Sequence, residues 1–249
     1  MVDLNIYPDV LTFNIVIDGL CKEGKIEDAE EVMKHMVGKG VDPDSITYNT
    51  ILHGLFKVGR IGFEKKFFDE MLSTGMIPNL YTHSTFLNGY FKYGLVEEAM
   101  SLFNKLERKI EYTSIEFYNV VINGLCNNGK LDKARAIFEK LPLIGLLPSA
   151  KTYNSIINGF CLEGLLDEAK DMLRKMEDNG YLTNDLTYNV IVRGFLRCNK
   201  INEMTTFLKE MAGRGFSFDA TTTGFLVNVV RENPSVLDMI PELHLKNKK

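Results

Sequence analysis

The chain has 249 residues, of which 45% are hydrophobic and 25% are charged, as is usual for a folded globular or solenoid protein. Its net charge of −4 and pI of about 5.7 argue against a strongly basic nucleic-acid binder, and no run approaches the roughly 18 apolar residues of a membrane span. The four cysteines form no CxxC pair and the four histidines have no zinc-ligand spacing, so the sequence predicts no metal and no cofactor.

One pattern, aligned on a Tyr-Asn or Phe-Asn pair, recurs every 35 residues along the chain. Six full repeats follow one another without a gap, numbered here 1 to 6, at 10–44, 45–79, 80–114, 115–149, 150–184 and 185–219. Residues 1–9 match the close of a preceding repeat, and residues 220–249 contain a partial seventh repeat, a C-terminal cap and a tail. We therefore expect a repeat array that corresponds to the C-terminal part of a longer array.

The sequence pattern of repeat 1 predicts two helices. The first helix has apolar residues at the fourth, seventh, eighth and eleventh positions, which form one helical face in Phe13, Val16, Ile17 and Leu20. Glycine at the fifteenth position, Gly24 here, predicts the end of this helix. The second helix is predicted near Ile26–Met36, with acidic residues in its first turn and basic residues later, as the helix dipole favours.

The following repeats keep this pair of helices, with local departures. The tenth residue is glycine in all six repeats; because a mid-helix glycine costs about 1 kcal/mol against alanine, it predicts close approach of neighbouring helices. Repeat 3 ends in RKIEYTS without the usual Gly and Pro, Pro142 predicts a shortened second helix in repeat 4, and Asn199 replaces the fifteenth-position glycine of repeat 6. A single hairpin cannot bury its apolar face alone, so the pattern predicts an all-α solenoid of stacked hairpins.

The segment VLTFNIVIDGLCKEGKIEDAEEVMKHMVGKGVDPD resembles a pentatricopeptide repeat of the 35-residue P type. Period, glycines, Tyr-Asn pair and terminal Pro-Asp agree together over residues 1–233, and the TYNxxIxGxC pattern resembles the restorer-of-fertility-like branch of plant organellar proteins. Tetratricopeptide repeats carry a tryptophan signature, which this chain lacks. The resemblance implies a right-handed superhelical α-solenoid of helix-turn-helix repeats that acts without catalysis.

The family resemblance also implies that each repeat reads one base of single-stranded RNA through its fifth and last residues. The implied pairs are Asn14 with Asp44, Asn49 with Asn79, Ser84 with Ser114, Asn119 with Ser149, Asn154 with Asn184, and Asn189 with Asp219. An asparagine amide both donates and accepts hydrogen bonds, so it can match the edge of a pyrimidine. Carrying over the pairings of the family gives the target U-(C/U)-N-C-(C/U)-U, with repeat 1 at the 5′ end.

Two further rows lie on the same stripe of the first helix, because the second, fifth, ninth and thirteenth residues are three or four apart. The second position supplies apolar residues that could flank a base, namely Leu11, Ile46, Tyr81 and Leu186. The thirteenth position supplies basic residues that could contact phosphates, namely Lys22, Lys57, Lys92 and Arg197. In repeat 1 this stripe is predicted to face a groove, away from the packed apolar face.

Alternatives to this function remain open from the sequence. Helical-hairpin solenoids commonly bind peptides, so a protein-binding scaffold without RNA specificity is the competing interpretation, and a third is that six bases are too few for tight recognition. No HxE…CxxC arrangement or nuclease-like acidic cluster supports an enzyme. The resemblance implies a mitochondrial location, with the chloroplast as alternative, and recruited organellar processing factors as further partners; the N-terminus MVDLNIYPD is not a transit peptide.

Overall fold

The computed structural model describes residues 7–109 and 114–239. All regular structure in these two ranges is helical, and the chain divides into an N-terminal unit, Met1–Tyr112, and a C-terminal unit, Thr113–Lys249. None of the helices in the described ranges has the length and hydropathy needed to cross a membrane.

The N-terminal unit contains three helical hairpins. Its helices are α1 (Val10–Lys22), α2 (Ile26–Gly38), α3 (Ser45–Val58), α4 (Phe63–Ser73), α5 (Leu80–Lys92) and α6 (Val96–Leu106). The odd-numbered helices are the first helices of repeats 1 to 3, and each begins at the first residue of its repeat.

The C-terminal unit continues the same order with three hairpins and one further helix. Its helices are α7 (Ile115–Asn127), α8 (Leu131–Lys140), α9 (Ala150–Leu162), α10 (Leu166–Asp178), α11 (Asp185–Arg197), α12 (Ile201–Gly213) and α13 (Ala220–Glu232), with short 3₁₀ turns at Pro142–Ile144 and Pro234–Met239. The predicted effect of Pro142 is confirmed, because α8 has 10 residues whereas α10 has 13.

The ends of the first helices follow the chemistry that the sequence indicates. Gly24 follows α1 with φ 79°, a left-handed conformation that glycine adopts without a steric penalty. Asn199 holds the same place after α11 with φ 54°, which asparagine tolerates better than other side chains. The replacement of glycine in repeat 6 therefore preserves the turn between its two helices.

The mid-helix glycines lie where two first helices pack closely. A Cβ atom added to Gly54 would lie 2.9 Å from Cys21 Sγ, and one added to Gly89 would lie 2.2 Å from the Phe56 ring. In the C-terminal unit, a Cβ on Gly159 would lie 2.6 Å from Cys126 Sγ. The same holds for Gly194 against Cys161, at 2.7 Å. The close approach predicted from the repeated glycine is confirmed at these four positions.

The apolar face of the first helices forms the core, with one difference from the prediction. Ile17 is fully buried, as is Ile51 at the seventh position of repeat 2, but Val16 at the seventh position of repeat 1 is 46% exposed. The seventh position of α3 faces the first helix before it, and no such helix precedes α1 among the described residues. The burial of this position therefore depends on a neighbouring repeat and not on the sequence of the helix itself.

Candidate nucleic-acid interface

The last residue of each repeat is the N-cap of the next first helix. Its side-chain oxygen accepts a hydrogen bond from the backbone N–H three residues later, at 2.7–3.3 Å, in Asp9, Asp44, Asn79, Ser114, Ser149, Asn184 and Asp219. Asp, Asn and Ser are the side chains that satisfy these otherwise unpaired N–H groups best. A residue predicted from the family to read a base therefore also begins a helix.

The fifth-position asparagines are buried and do not project freely into solvent. Their exposed fractions are between 1% and 9% in Asn14, Asn49, Asn119, Asn154 and Asn189. The prediction placed them on the groove side of the first helix. Asn14 and Asn119 bond to the last residue of their repeat and to a threonine at the start of the next first helix. Buried amides of this kind are usually satisfied by hydrogen-bond partners within the protein.

The Asn14 cluster (Asn14, Asp44 and Thr47) shows how such an amide is satisfied. Asn14 Nδ2 donates to Asp44 Oδ1 at 3.1 Å, and the Thr47 hydroxyl donates to Asn14 Oδ1 at 2.6 Å. Burial alone would raise the pKa of Asp44, but hydrogen bonds from Thr47 and Asn14 outweigh it and hold that pKa below its ordinary value. Asp44 is therefore a fixed, ionised acceptor between two repeats.

The Asn119 cluster (Asn119, Ser149 and Thr152) has the same arrangement with a neutral last residue. Asn119 Nδ2 donates to Ser149 Oγ at 3.3 Å, and the Thr152 hydroxyl donates to Asn119 Oδ1 at 2.6 Å. The threonine belongs to the third position of the following repeat and was not part of the sequence prediction. The signal was present, since threonine recurs at this position in Thr12, Thr47, Thr82, Thr152, Thr187 and Thr222.

Repeats 2 and 5, which end in asparagine, have a different hydrogen-bond pattern. The Thr82 hydroxyl donates to Asn79 Oδ1 at 3.1 Å, and the Thr187 hydroxyl donates to Asn184 Oδ1 at 3.2 Å. The Thr47 hydroxyl of repeat 1 also lies 3.0 Å from Asp44 Oδ1, but it is closer to Asn14 Oδ1, at 2.6 Å. The buried Oδ1 atoms of Asn49 and Asn154 accept no hydrogen bond from any described residue. The hydrogen bonding of the fifth residue thus differs between the two repeats that end in asparagine and repeats 1 and 4.

The Asn189 cluster of repeat 6 (Asn189, Arg193, Asp219 and Thr222) departs from this scheme. Arg193 Nη1 lies 2.8 Å from Asp219 Oδ2 and 3.0 Å from Thr222 Oγ1. Burial alone would raise the pKa of Asp219, but hydrogen bonds from Thr222 and Arg193 hold it below its ordinary value. No side-chain hydrogen bond joins Asn189 to Asp219 among the described residues; the Asp219 backbone N–H instead donates to Asn189 Oδ1 at 3.1 Å.

Ser84 and Ser114 of repeat 3 lie in different compact units. Ser84 is half-buried on α5, and Ser114 is the half-buried N-cap of α7. The pairing predicted for repeat 3 stays a prediction.

Exposed apolar side chains stand at the second position of several first helices. Four of them are more than half exposed, at 66%, 60%, 61% and 52% in Leu11, Ile46, Tyr81 and Leu186. This exposure leaves their apolar surface available to a ligand such as a stacked base. Their predicted base-flanking role stays a prediction.

Each unit has a cleft that brings residues of this stripe together. The cleft of the N-terminal unit has a volume of about 370 Å³, and its lining includes His53, Lys57, Tyr81, Ser84, Asn88 and Lys92. The cleft of the C-terminal unit has a volume of about 620 Å³, and its lining includes Asn123, Lys151, Asn154, Asn158, Asn184 and Arg193. Both linings combine apolar surface with side chains that can donate and accept hydrogen bonds, which an interface for stacked bases with polar edges requires.

The basic residues of the thirteenth position contact the protein itself. Lys57 Nζ donates to the Lys22 carbonyl oxygen at 2.7 Å, and Lys92 Nζ donates to the Lys57 carbonyl oxygen at 3.3 Å. Lys22 pairs with Asp18 at 2.6 Å, and the Arg197 guanidinium lies 5.5 Å from the ring centre of Phe225. Lys57 and Lys92 thus satisfy carbonyl groups at the ends of the preceding first helices. Because an ammonium has three donors, the predicted phosphate contacts stay compatible with this geometry.

The cysteines have packing roles in the first helices. Burial raises the pKa of the Cys21 thiol to about 11 and the pKa values of the Cys126 and Cys161 thiols to about 12. These three cysteines are therefore small, buried packing groups, whereas Cys198 is half-buried. Within the described ranges, no group of three or more His, Cys, Asp or Glu side chains could hold a metal ion.

The stacked hairpins match known proteins of similar architecture. PPR10 in complex with an 18-nt psaJ RNA element aligns over 98% of this chain with a TM-score of 0.71 and 21% identity. PPR10 from maize aligns over 96% with a TM-score of 0.64 and 21% identity, and nuclear protein-only RNase P 2 from Arabidopsis thaliana aligns over 74% with a TM-score of 0.53 and 13% identity. The chain spans 41% of each PPR10 chain and 42% of the RNase P chain. No curated protein matches it.

Family models account for most of the sequence. The model of the PPR repeat family matches residues 8–57, 44–92, 113–162 and 148–197, and the single PPR repeat model matches residues 81–109 and 186–216. These matches cover well over half of the chain and follow the periodicity of the hairpins. The protein therefore belongs to the pentatricopeptide repeat (PPR) family.

Proposed function

We propose that the chain binds single-stranded RNA selectively, with about one base for each repeat, in the processing, stabilisation or translational control of organellar RNA. The observation that carries this proposal is the meeting of the fifth and last side chains of a repeat, at 3.1 Å in Asn14–Asp44 and 3.3 Å in Asn119–Ser149. Membership of the PPR family supports it, as do the PPR10 complexes with an 18-nt psaJ RNA element.

In this proposal the last residue makes the discriminating contact and the buried fifth residue orients it. Asp44 is an ionised carboxylate, which only accepts hydrogen bonds, so it suits a base edge that presents an N–H, such as N3–H of uracil. The Ser149 hydroxyl lies 3.0 Å from Thr152 Oγ1 and can turn its proton to a ligand instead, so it suits an edge that presents an acceptor, such as N3 of cytosine. Asn14 and Asn119 each fix the position of their partner by donating to it.

The remaining repeats extend this assignment along the RNA. Repeats 2 and 5 end in the amides of Asn79 and Asn184, which both donate and accept and so suit either pyrimidine. We propose the target U-(C/U)-N-C-(C/U)-U for the six repeats, with the exposed side chains of Leu11, Ile46, Tyr81 and Leu186 against the faces of the bases.

Exchanging the last residue between repeats 1 and 4 tests this proposal. Asp44→Ser should move the preference at the first nucleotide from uracil to cytosine, and Ser149→Asp should move the preference at the fourth from cytosine to uracil. Both residues are good N-caps, so both variants keep the start of the following helix. The measurement is fluorescence anisotropy with RNAs that differ at one nucleotide, and melting followed by circular dichroism controls for folding.

The same titrations separate RNA binding from a protein-binding scaffold. A single-stranded RNA complex loses affinity with added salt, with a logarithmic slope of about −0.7 for each phosphate neutralised. Equal affinity for all RNAs at both exchanged nucleotides, together with no dependence on salt, would contradict the proposal and favour the scaffold.

The organellar part of the proposal rests on the family resemblance alone. We propose mitochondria as the location, with chloroplasts as the alternative, and processing factors as further partners. Crosslinking the purified chain to RNA from each organelle, followed by sequencing, should recover a transcript containing the proposed pyrimidine-rich element from one of them. Recovery of sequences without this element from both organelles would contradict it.

A further inference from the structure

Repeats 1 and 6 carry the same pair of base-reading side chains in two different arrangements. Both have asparagine at the fifth position and aspartate at the last, so the family resemblance assigns uracil to both. In repeat 1 the asparagine side chain bonds to the carboxylate, Asn14 Nδ2 to Asp44 Oδ1 at 3.1 Å. In repeat 6 the carboxylate of Asp219 is bonded by Arg193 instead, at 2.8 Å.

The fifth residue of repeat 6 is turned toward the backbone. Asn189 Nδ2 donates to the carbonyl oxygens of Asp185 at 2.6 Å and Ser217 at 2.9 Å. Its Oδ1 accepts from the backbone N–H of Asp219 at 3.1 Å. With both amide groups engaged and only 1% of the residue exposed, Asn189 is held in this arrangement. It does not orient the Asp219 carboxylate as Asn14 orients Asp44.

The difference between the two repeats lies at the ninth position, one helical turn after the fifth. Arg193 has a long side chain, whereas the preceding repeats have shorter ones there: Asp18, His53, Asn88, Asn123 and Asn158. The Arg193 side chain is 13% exposed and bridges Asp219 and Thr222, whereas Asp18 in repeat 1 pairs with Lys22. An arginine–carboxylate pair is a strong charge-assisted interaction; here the guanidinium is largely shielded from water, whereas the Asp219 side chain is 41% exposed.

We propose that Arg193 determines the specificity of repeat 6 by withdrawing Asp219 from base recognition, so that this repeat accepts any base. This inference rests on the proposed function. The Asp219 carboxylate accepts from Arg193 on Oδ2 and from the Thr222 backbone N–H on Oδ1, so a uracil N3–H must share an oxygen that is already bonded, and the charged donor binds more strongly than a neutral one. The guanidinium supplies donors that suit acceptors on every base and on phosphate. The target then becomes U-(C/U)-N-C-(C/U)-N.

Two reciprocal variants test this role, and each introduces a residue that another repeat already has at the ninth position. Arg193→Asn gives repeat 6 the residue of repeats 4 and 5, and Asp18→Arg gives repeat 1 the arginine of repeat 6. Arg193→Gln serves as a second variant if Arg193→Asn does not fold by circular dichroism. Each protein is titrated with RNAs that differ only by U or C at nucleotide 1, or only by U or C at nucleotide 6.

The wild-type chain should prefer U over C by about tenfold at nucleotide 1 and by less than about twofold at nucleotide 6. Arg193→Asn should gain a preference of at least about fivefold for U at nucleotide 6 and keep its preference at nucleotide 1, whereas Asp18→Arg should lose the preference at nucleotide 1. Equal preference for U at both nucleotides in the wild-type chain, or no gain in either Arg193 variant, overturns the role of Arg193. Discrimination at neither nucleotide in any of the proteins overturns the proposed function itself, and the role of Arg193 with it.

Discussion

Replacing Gly89 by alanine tests the packing of the first helices most directly. The new Cβ would lie 2.2, 2.4 and 2.4 Å from three ring atoms of Phe56, where carbon atoms normally pack at about 3.5–4.0 Å. Phe56 is only 4% exposed, and its ring packs against Phe86 and Tyr90, with ring centroids 5.5 and 5.9 Å away. Because it is buried, the ring has little room to retreat. The clash must therefore strain the contact between α3 and α5.

Two opposing effects set the size of the change. Overpacking a core costs about 1–3 kcal/mol, and three close ring atoms place this site toward the upper end. Alanine in place of a mid-helix glycine stabilises the helix by about 1 kcal/mol. We expect Gly89→Ala to lower the free energy of unfolding by about 1–2 kcal/mol in sum.

Gly19 is the matched control, because it holds the tenth position of repeat 1 and a Cβ there would meet nothing within 4 Å. Gly19→Ala should raise the free energy of unfolding by about 0.5–1 kcal/mol. Urea unfolding followed by circular dichroism measures both changes, and a cycle with Phe56→Ala should remove the penalty of Gly89→Ala. An equal rise of the urea midpoint in Gly89→Ala and Gly19→Ala would refute the packing role of the glycine.

Three further predictions follow from the hydrogen-bond clusters and the thiols. Thr152→Val keeps the shape of the side chain but removes the hydroxyl that donates to Asn119 Oδ1, so it should lower the free energy of unfolding in urea by about 1–3 kcal/mol. Thr12→Val, at the more exposed first cap, should lower it by about 1 kcal/mol or less. Equal losses in the two variants would contradict the role assigned to the buried amide. Burial raises the pKa values of the Cys126 and Cys161 thiols to about 12, so both should resist Ellman's reagent at neutral pH until urea unfolds the chain. Half-buried Cys198 should react first. Mass spectrometry of single-cysteine variants measures the order of reaction. Burial alone would raise the pKa of Asp44, but hydrogen bonds from Thr47 and Asn14 hold it below its ordinary value. The ionised carboxylate therefore stabilises the folded state above the ordinary pKa, and this stabilisation is lost as the pH falls through the lowered pKa of the folded state. The difference in urea midpoint between the wild-type chain and Asp44→Asn should therefore shrink between about pH 5 and about pH 2, and a difference that grows on acidification would contradict the assigned contacts.

Most of the fold could be predicted from the sequence because its signals are local and recur six times. Apolar spacing predicts the first helices, the glycines predict their ends and close contacts, and Pro142 predicts the short α8. The exposure of Val16 could not be predicted in this way. It depends on whether a neighbouring first helix covers the residue, which the sequence of α1 alone does not encode.

The candidate site was predicted less completely, because its geometry depends on contacts across repeats. The periodicity places Asn14 on the groove side, but its burial results from the start of α3, where Asp44 and Thr47 close over the amide. In repeat 6 the Asp219 carboxylate is bonded by Arg193, a single long side chain at the ninth position, and Asn189 bonds to backbone groups. The residues at the fifth and last positions are the same in repeats 1 and 6, so they predict the same base for both, whereas the hydrogen bonds of the two repeats differ.

The double use of the last residue of each repeat limits how such a protein can evolve. A substitution there changes the proposed base preference and the start of the following helix at once, so only short side chains that accept from backbone N–H groups can be exchanged without loss of stability. The six repeats use three of these, Asp, Asn and Ser. Under the proposed function, the range of bases that a repeat can recognise is therefore limited by the requirements of helix capping as much as by RNA chemistry. New preferences outside it would have to come from other positions, as Arg193 illustrates.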